Sequence, residues 1–181
     1  MDLSTFYALF SATCFTLVGL WWTLLMANPL WMRDPALRRA CGGVYLAFLL
    51  PALMGLFAQV GGEETPLIWR ISFVGVAVIG VVSTLRALAV SRAAGEDDRT
   101  HRLNRVVAIV LYACIAVIGV VPELAKAVDL KPIQAEAILL IMLVVLAHGL
   151  VWRFMTNAPS GGRHESGVPR EAVPRAMSSQ P

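Results

Sequence analysis

Charge is scarce in this sequence: 15% of its 181 residues are Asp, Glu, Lys or Arg, against about 25% in an average soluble domain. With 57% hydrophobic residues and a mean hydropathy of +0.69, such a chain cannot cover itself with a water-soluble surface, and a soluble fold is excluded. Cysteine is scarce too. Cys14, Cys41 and Cys114 lie within or beside apolar runs, with no C-x-x-C and no secreted framework spacing, which excludes a disulfide scaffold and leaves packing as their role. Catalytic signatures are missing: there is no H-E-x-x-H, G-x-S-x-G, P-loop or dinucleotide glycine pattern, so an enzyme is not expected. His148 is the one membrane-embedded histidine, since His101 and His164 fall in polar segments. A haem held between two histidines of one chain is therefore not expected, nor any other cofactor. The isoelectric point near 9.0 comes from Lys and Arg that flank apolar runs and form no basic, aromatic-studded surface, so nucleic acid is not an expected partner either.

What the sequence does have is length of apolar run. Crossing about 30 Å of hydrocarbon at about 1.5 Å per residue takes some 20 residues, and five runs qualify: 3–26, 40–60, 66–90, 106–121 and 133–152. The first has no positive n-region and no small-residue cleavage site, so it reads as a retained span and not a signal peptide. Trp21, Trp22, Trp31, Trp69 and Trp152 fall near the predicted interfaces, where an amphipathic ring is best solvated. Thr65 before Pro66 reads as the cap and first position of the third helix, and Pro132 opens the fifth in the same way. The fold class expected is all-α: a polytopic bundle of five transmembrane helices within residues 1–156.

Orientation follows from the basic residues. Arg33, Arg38, Arg39, Arg86, Arg92, Arg99, Arg102, Arg105, Arg153, Arg163, Arg170 and Arg175 lie on one side of the alternation, while Arg70, Lys126 and Lys131 lie on the other. Twelve against three places the N-terminus outside the cytoplasm and the C-terminus inside, in a plasma (inner) membrane, with an odd number of spans. The segment 121–131 has helix formers of mixed polarity and reads either as a short interfacial helix or as a kinked extension of the fourth span. Residues 157–181 turn to Gly, Ser, Pro, Arg and Glu and are expected to be a disordered tail.

Five features stand out as candidates. His148 sits about one and a half turns inside the end of the fifth span, at a depth that Tyr45 and Tyr112 share, and with Gln59 it is the candidate polar pathway. Arg70 and Glu136 each fall four residues after a helix-opening proline, one turn inside the same face, and form a candidate ion pair. Gly43, Ala47, Pro51 and Gly55 recur every four residues as a candidate packing stripe. Thr5, Ala12, Thr16, Gly19 and Thr23 make a similar line on the first helix, with packing the simplest use of both. Glu96, Asp97, Asp98 and His101 resemble a hard-ligand cluster but read as solvated loop charge. The hexamer at 77–82 recurs at 116–121, which coincidence in Val/Ile-rich sequence explains without a duplication. Three functions fit, in this order: an oligomeric pore or transport protein for an ion or small solute; a non-catalytic subunit packed against a larger membrane complex; and an intramembrane enzyme, which no motif supports. The expected partners are the lipid bilayer and either further copies or other membrane subunits.

Overall fold

A computed structural model describes residues 2–61, 66–93, 99–126 and 129–157. Residues 62–65, the acidic residues Glu96, Asp97 and Asp98, and residues 158–181 lie outside the described residues. Among the described residues every regular element is helical: α1 (Leu3–Ala27), a 3-10 turn (Pro29–Met32), α2 (Pro35–Gly61), α3 (Pro66–Ala93), α4 (Arg99–Val120), the one-turn α5 (Glu123–Lys126) and α6 (Pro132–Asn157). All but α5 and the 3-10 turn are long and apolar enough to span a bilayer, giving the five expected spans.

The helices outrun their apolar cores because local capping, not lipid, ends them. Asp2 caps α1 through Ser4 N–H at 3.4 Å. Asp34 accepts from Ala36 N–H at 2.7 Å just ahead of Pro35, so α2 begins five residues before the apolar run does. At the start of α6, Gln134 Oε1 accepts from Lys131 N–H at 3.2 Å in a capping-box arrangement around Pro132. Between α4 and α6 the chain stops at Pro122, makes the separate turn α5, and reverses with Leu130 N–H on the Ala125 carbonyl and Asp129 in the left-handed region at φ 53°. Of the two readings for this segment, the separate short helix is the one formed.

Successive spans alternate in direction. We call the end holding the start of α1 the amino face and the end holding Asn157 the carboxyl face. α2, α3, α4 and α6 close a ring in which α2 meets α3 and α6, and α4 meets α3 and α6, while α1 packs on α2 and touches α6. α3 and α6 are diagonal and have no backbone neighbours in each other.

Two cores stack along the bundle. Toward the amino face, Tyr7, Met54, Phe73, Ile115 and Leu140 bring all five spans together. Toward the carboxyl face, Trp21, Trp31, Val44, Phe48 and Phe154 join only α1, α2, α6 and the 3-10 turn. There the Phe154 ring receives Trp21 and Trp31 edge to face, at centroid distances of 5.4 and 5.0 Å, and Trp21 Nε1 donates to the Cys41 carbonyl at 3.1 Å. Three of the five tryptophans expected at interfaces are thus core residues: Trp21, Trp31 and Trp69 are buried, and only Trp22 and Trp152 stand at the surface.

α3 and α4 are fastened to each other at both ends. Near the amino face Arg70 reaches from α3 to the last carbonyls of α4, with Nε donating to Gly119 at 2.8 Å and Nη2 to Val120 at 2.9 Å. A cation on these otherwise unfilled carbonyls also meets the negative end of the helix dipole. Near the carboxyl face Arg105 of α4 donates to the Ala87 carbonyl and to Ser91 Oγ of α3. Between the clasps the backbones approach closely. A Cβ on Gly80 would lie 2.6 Å from the Tyr112 ring, and one on Gly119 would lie 2.8 Å from Val74. Each copy of the recurring hexamer therefore supplies the glycine that lets its helix approach the other.

Candidate functional site

Glu136 is the fifth residue of α6, about 6 Å along the helix from its start at 1.5 Å per residue, and it has no exposed surface. Neither carboxyl oxygen has a hydrogen-bond partner. An ionised carboxylate in this setting, with no donor and no cation, would cost several kcal/mol. The packing on view accommodates the neutral acid, and even that leaves a hydroxyl donor unmatched at a cost of about 1–3 kcal/mol. Natural cores rarely retain such a group, which makes Glu136 the candidate site of the bundle.

The nearest polar machinery comes from α1. Tyr7, 1% exposed, is likewise the fifth residue of its helix, and its hydroxyl donates to the Ile133 carbonyl at 2.7 Å, one turn before Glu136 on α6. Its ring and Glu136 thus belong to the same end of the bundle, joined through the first turn of α6. The ring is held by Phe6 at 5.3 Å and Phe73 at 6.5 Å, both edge to face, and Phe73 is in turn held by Trp69 at 5.7 Å. Tyr7 owes its position to the seam of α1: Tyr7, Ser11, Cys14, Val18, Trp21 and Leu25 are buried at alternating spacings of four and three. Ser11 Oγ donates to the Ala52 carbonyl of α2 at 3.2 Å, and Gly55 makes room, since a Cβ there would lie 2.5 Å from Ser11 Oγ.

The expected pairing of Arg70 with Glu136 is not formed. Both sit one turn inside the amino face, as anticipated, but α3 and α6 are diagonal in the ring, Arg70 is engaged with α4, and the Glu136 oxygens are unpartnered. The expected pathway group is dispersed as well. His148 lies exposed on α6, its Nδ1–H donating to the Val144 carbonyl at 2.8 Å, its ring edge-on to Phe48 at 5.3 Å. It borders an apolar groove of about 170 Å³ with Leu17, Leu20, Trp21, Leu24 and Val151. Tyr45 packs edge to face on Trp22 at 5.9 Å, Tyr112 is buried under Gly80, and Gln59 donates back to the Gly55 carbonyl of its own helix at 3.4 Å.

The stripe on α2 divides. Pro51 and Gly55 are buried, Ala47 is half-buried, and Gly43 is exposed with nothing within reach of an added Cβ. Four residues turn a helix by about 400°, so the stripe drifts about 40° per step and leaves the contact face within three steps. The line on α1 faces outward entirely: Thr5, Ala12, Thr16, Gly19 and Thr23 are exposed, and Thr16 and Thr23 donate to the Ala12 and Gly19 carbonyls of their own helix at 2.8 and 3.1 Å. The signal for the true seam was present in the 4-3-4-3 spacing from Tyr7, hidden by its mixture of polar and apolar types.

Among the described residues no three or more His, Cys, Asp or Glu side chains converge on one point. No family model, curated protein or solved structure matches this chain. The chain is an integral, multi-pass membrane protein by its five spanning helices.

Proposed function

We propose that this protein transports an ion or small solute across its membrane in exchange for, or together with, a proton, and that Glu136 is the group that takes up and releases that proton. The observation that carries the reading is a fully buried, unpartnered carboxyl inside a transmembrane bundle. A proton suits the site better than a metal cation, because a cation requires several oxygen ligands and the Ile133 carbonyl is already engaged by Tyr7. The basic asymmetry supports an amino face outside the cytoplasm, so that Glu136 lies one turn below the outer surface.

The experiment is purified protein in liposomes carrying an internal pH-sensitive dye. An imposed pH or salt gradient should drive proton movement with the parent protein and none above the empty-liposome rate with Glu136→Gln. Equal movement in parent and variant, or none in the parent under any gradient of monovalent ions, overturns the reading.

The second reading, a non-catalytic subunit of a larger complex, is favoured by Gly42 and Gly43, which are exposed on a spanning helix with open space before them. Isolation from native membranes in mild detergent with a stoichiometric partner, lost in Gly43→Leu, would support it.

A further inference from the structure

We infer that Tyr7 is the positioning residue of this site: its hydroxyl turns from the Ile133 carbonyl to the Glu136 carboxylate when Glu136 gives up its proton. This rests on the reading of Glu136 as the proton-exchanging group. Once ionised, Glu136 needs a donor, and the groups around it leave few. From α3, Arg70 is engaged by Gly119 and Val120; from α2, Gln59 is turned to Gly55; α4 contributes Tyr112, packed under Gly80, and the thiol of Cys114, which is exposed at the bundle surface; α5 contributes Glu123, exposed and of the wrong sign; and on α6 Gln134 is turned to Lys131 N–H while the Lys131 side chain is exposed and makes no bond to Glu136. Tyr7 of α1 remains, its hydroxyl already seated on α6 at 2.7 Å from the Ile133 carbonyl, three residues before Glu136, and holding an O–H whose present acceptor is dispensable. The Ile133 carbonyl stands four residues before Ala137, so the helical ladder offers it a donor of its own.

The step balances simply. The Glu136 O–H bond breaks, its proton passes to water admitted at the amino face, and the electron pair stays on the carboxylate. Tyr7 keeps its proton throughout and exchanges one hydrogen-bond acceptor for another. A charge-assisted bond replaces a neutral one, which holds the ionised state long enough for the bundle to rearrange. Because the donor comes from α1 and the acceptor from α6, the two protonation states differ in how these helices are tied. Reprotonation returns Tyr7 to Ile133.

Infrared difference spectroscopy of the full-length protein in lipid, recorded across a pH step, tests this. The carbonyl band of the protonated acid, absent from Glu136→Gln, should disappear on raising the pH, and in the same step one tyrosine hydroxyl band should shift. Tyr7→Phe should abolish the tyrosine change and slow proton flux between roughly tenfold and a hundredfold. The chain has three tyrosines, so if Tyr7→Phe does not fold, Tyr45→Phe and Tyr112→Phe assign the band by elimination. A Glu136 band that titrates while the Tyr7 band stays fixed overturns the role of Tyr7 and leaves that of Glu136 standing. A Glu136 band that persists at every pH where the protein is folded removes both.

Discussion

In its amino half the bundle gathers all five spans around one core, whereas in its carboxyl half α1, α2 and α6 close on Trp21, Trp31 and Phe154, a cluster to which neither α3 nor α4 contributes. Along that second half Val82, Leu85, Val90, Leu103, Val106 and Val110 of the α3/α4 pair are exposed at the bundle surface. The difference teaches that association within a membrane follows backbone approach and specific hydrogen bonds more than apolar content, because lipid solvates a valine as well as a neighbouring helix does. The α3/α4 pair stays together through Gly80, Gly119 and two arginine clasps.

The sharpest way to break the comparison is to fill a close approach. Gly80→Leu forces a side chain into the Tyr112 ring and is expected to destabilise the protein in detergent by roughly 3 kcal/mol, whereas Gly43→Leu, in open space, should stay within about 0.5 kcal/mol. Equal losses from both, measured by reversible denaturation in mixed micelles, would mean that the glycines do not set the packing.

Next come the clasps. Arg70→Ala leaves two helix-end carbonyls without a donor and should cost about 2 kcal/mol. Arg105→Ala should cost about 1 kcal/mol or less, because the Ala87 carbonyl lies inside α3, where the helical ladder offers it a donor of its own. Amide exchange should quicken at the end of α4 in the first variant and near Ala87 to Ser91 in the second. The reverse ranking would place the strength of the pair at the carboxyl face.

The buried carboxyl reverses the usual sign. Replacing an unpartnered polar group by an apolar one of similar volume removes a desolvation penalty, so Glu136→Leu should raise stability by about 1 kcal/mol while abolishing flux. A destabilised Glu136→Leu would show that the carboxyl has a partner in the membrane. The smallest effect is expected at His148, whose Nδ1–H is satisfied within α6: His148→Leu should change stability by no more than about 0.5 kcal/mol and leave proton flux intact. Loss of flux there would move the site from the amino core to the groove beside Phe48.

Position along the helices was legible in the sequence, and lateral position was not. Proline, capping and charge signals placed five spans and set Arg70 and Glu136 each one turn inside the same face, because hydropathy and helix rise report position along the bilayer normal. Which helices adjoin depends on side-chain interdigitation around each axis. That information lies in the 4-3 seam from Tyr7 to Leu25 and in the glycines of the recurring hexamer, neither of which differs in hydropathy from its surroundings. Tyr7 escaped notice for the same reason, since a lone phenol near a helix start looks like an interfacial anchor until its neighbour on α6 is known.

Of the three thiols, Cys14 and Cys41 are shut inside the bundle while Cys114 is exposed. It borders a groove of about 360 Å³ lined by Val110, Val117, Ile118, Leu124 and Ala135, the last of these next to Glu136 in the chain. The protein thus carries a single native attachment point beside its proposed working helix. A polarity-sensitive fluorophore coupled there, with no residue changed, would turn any parting of α4 from α6 into a change of colour, readable in real time as protons enter and leave.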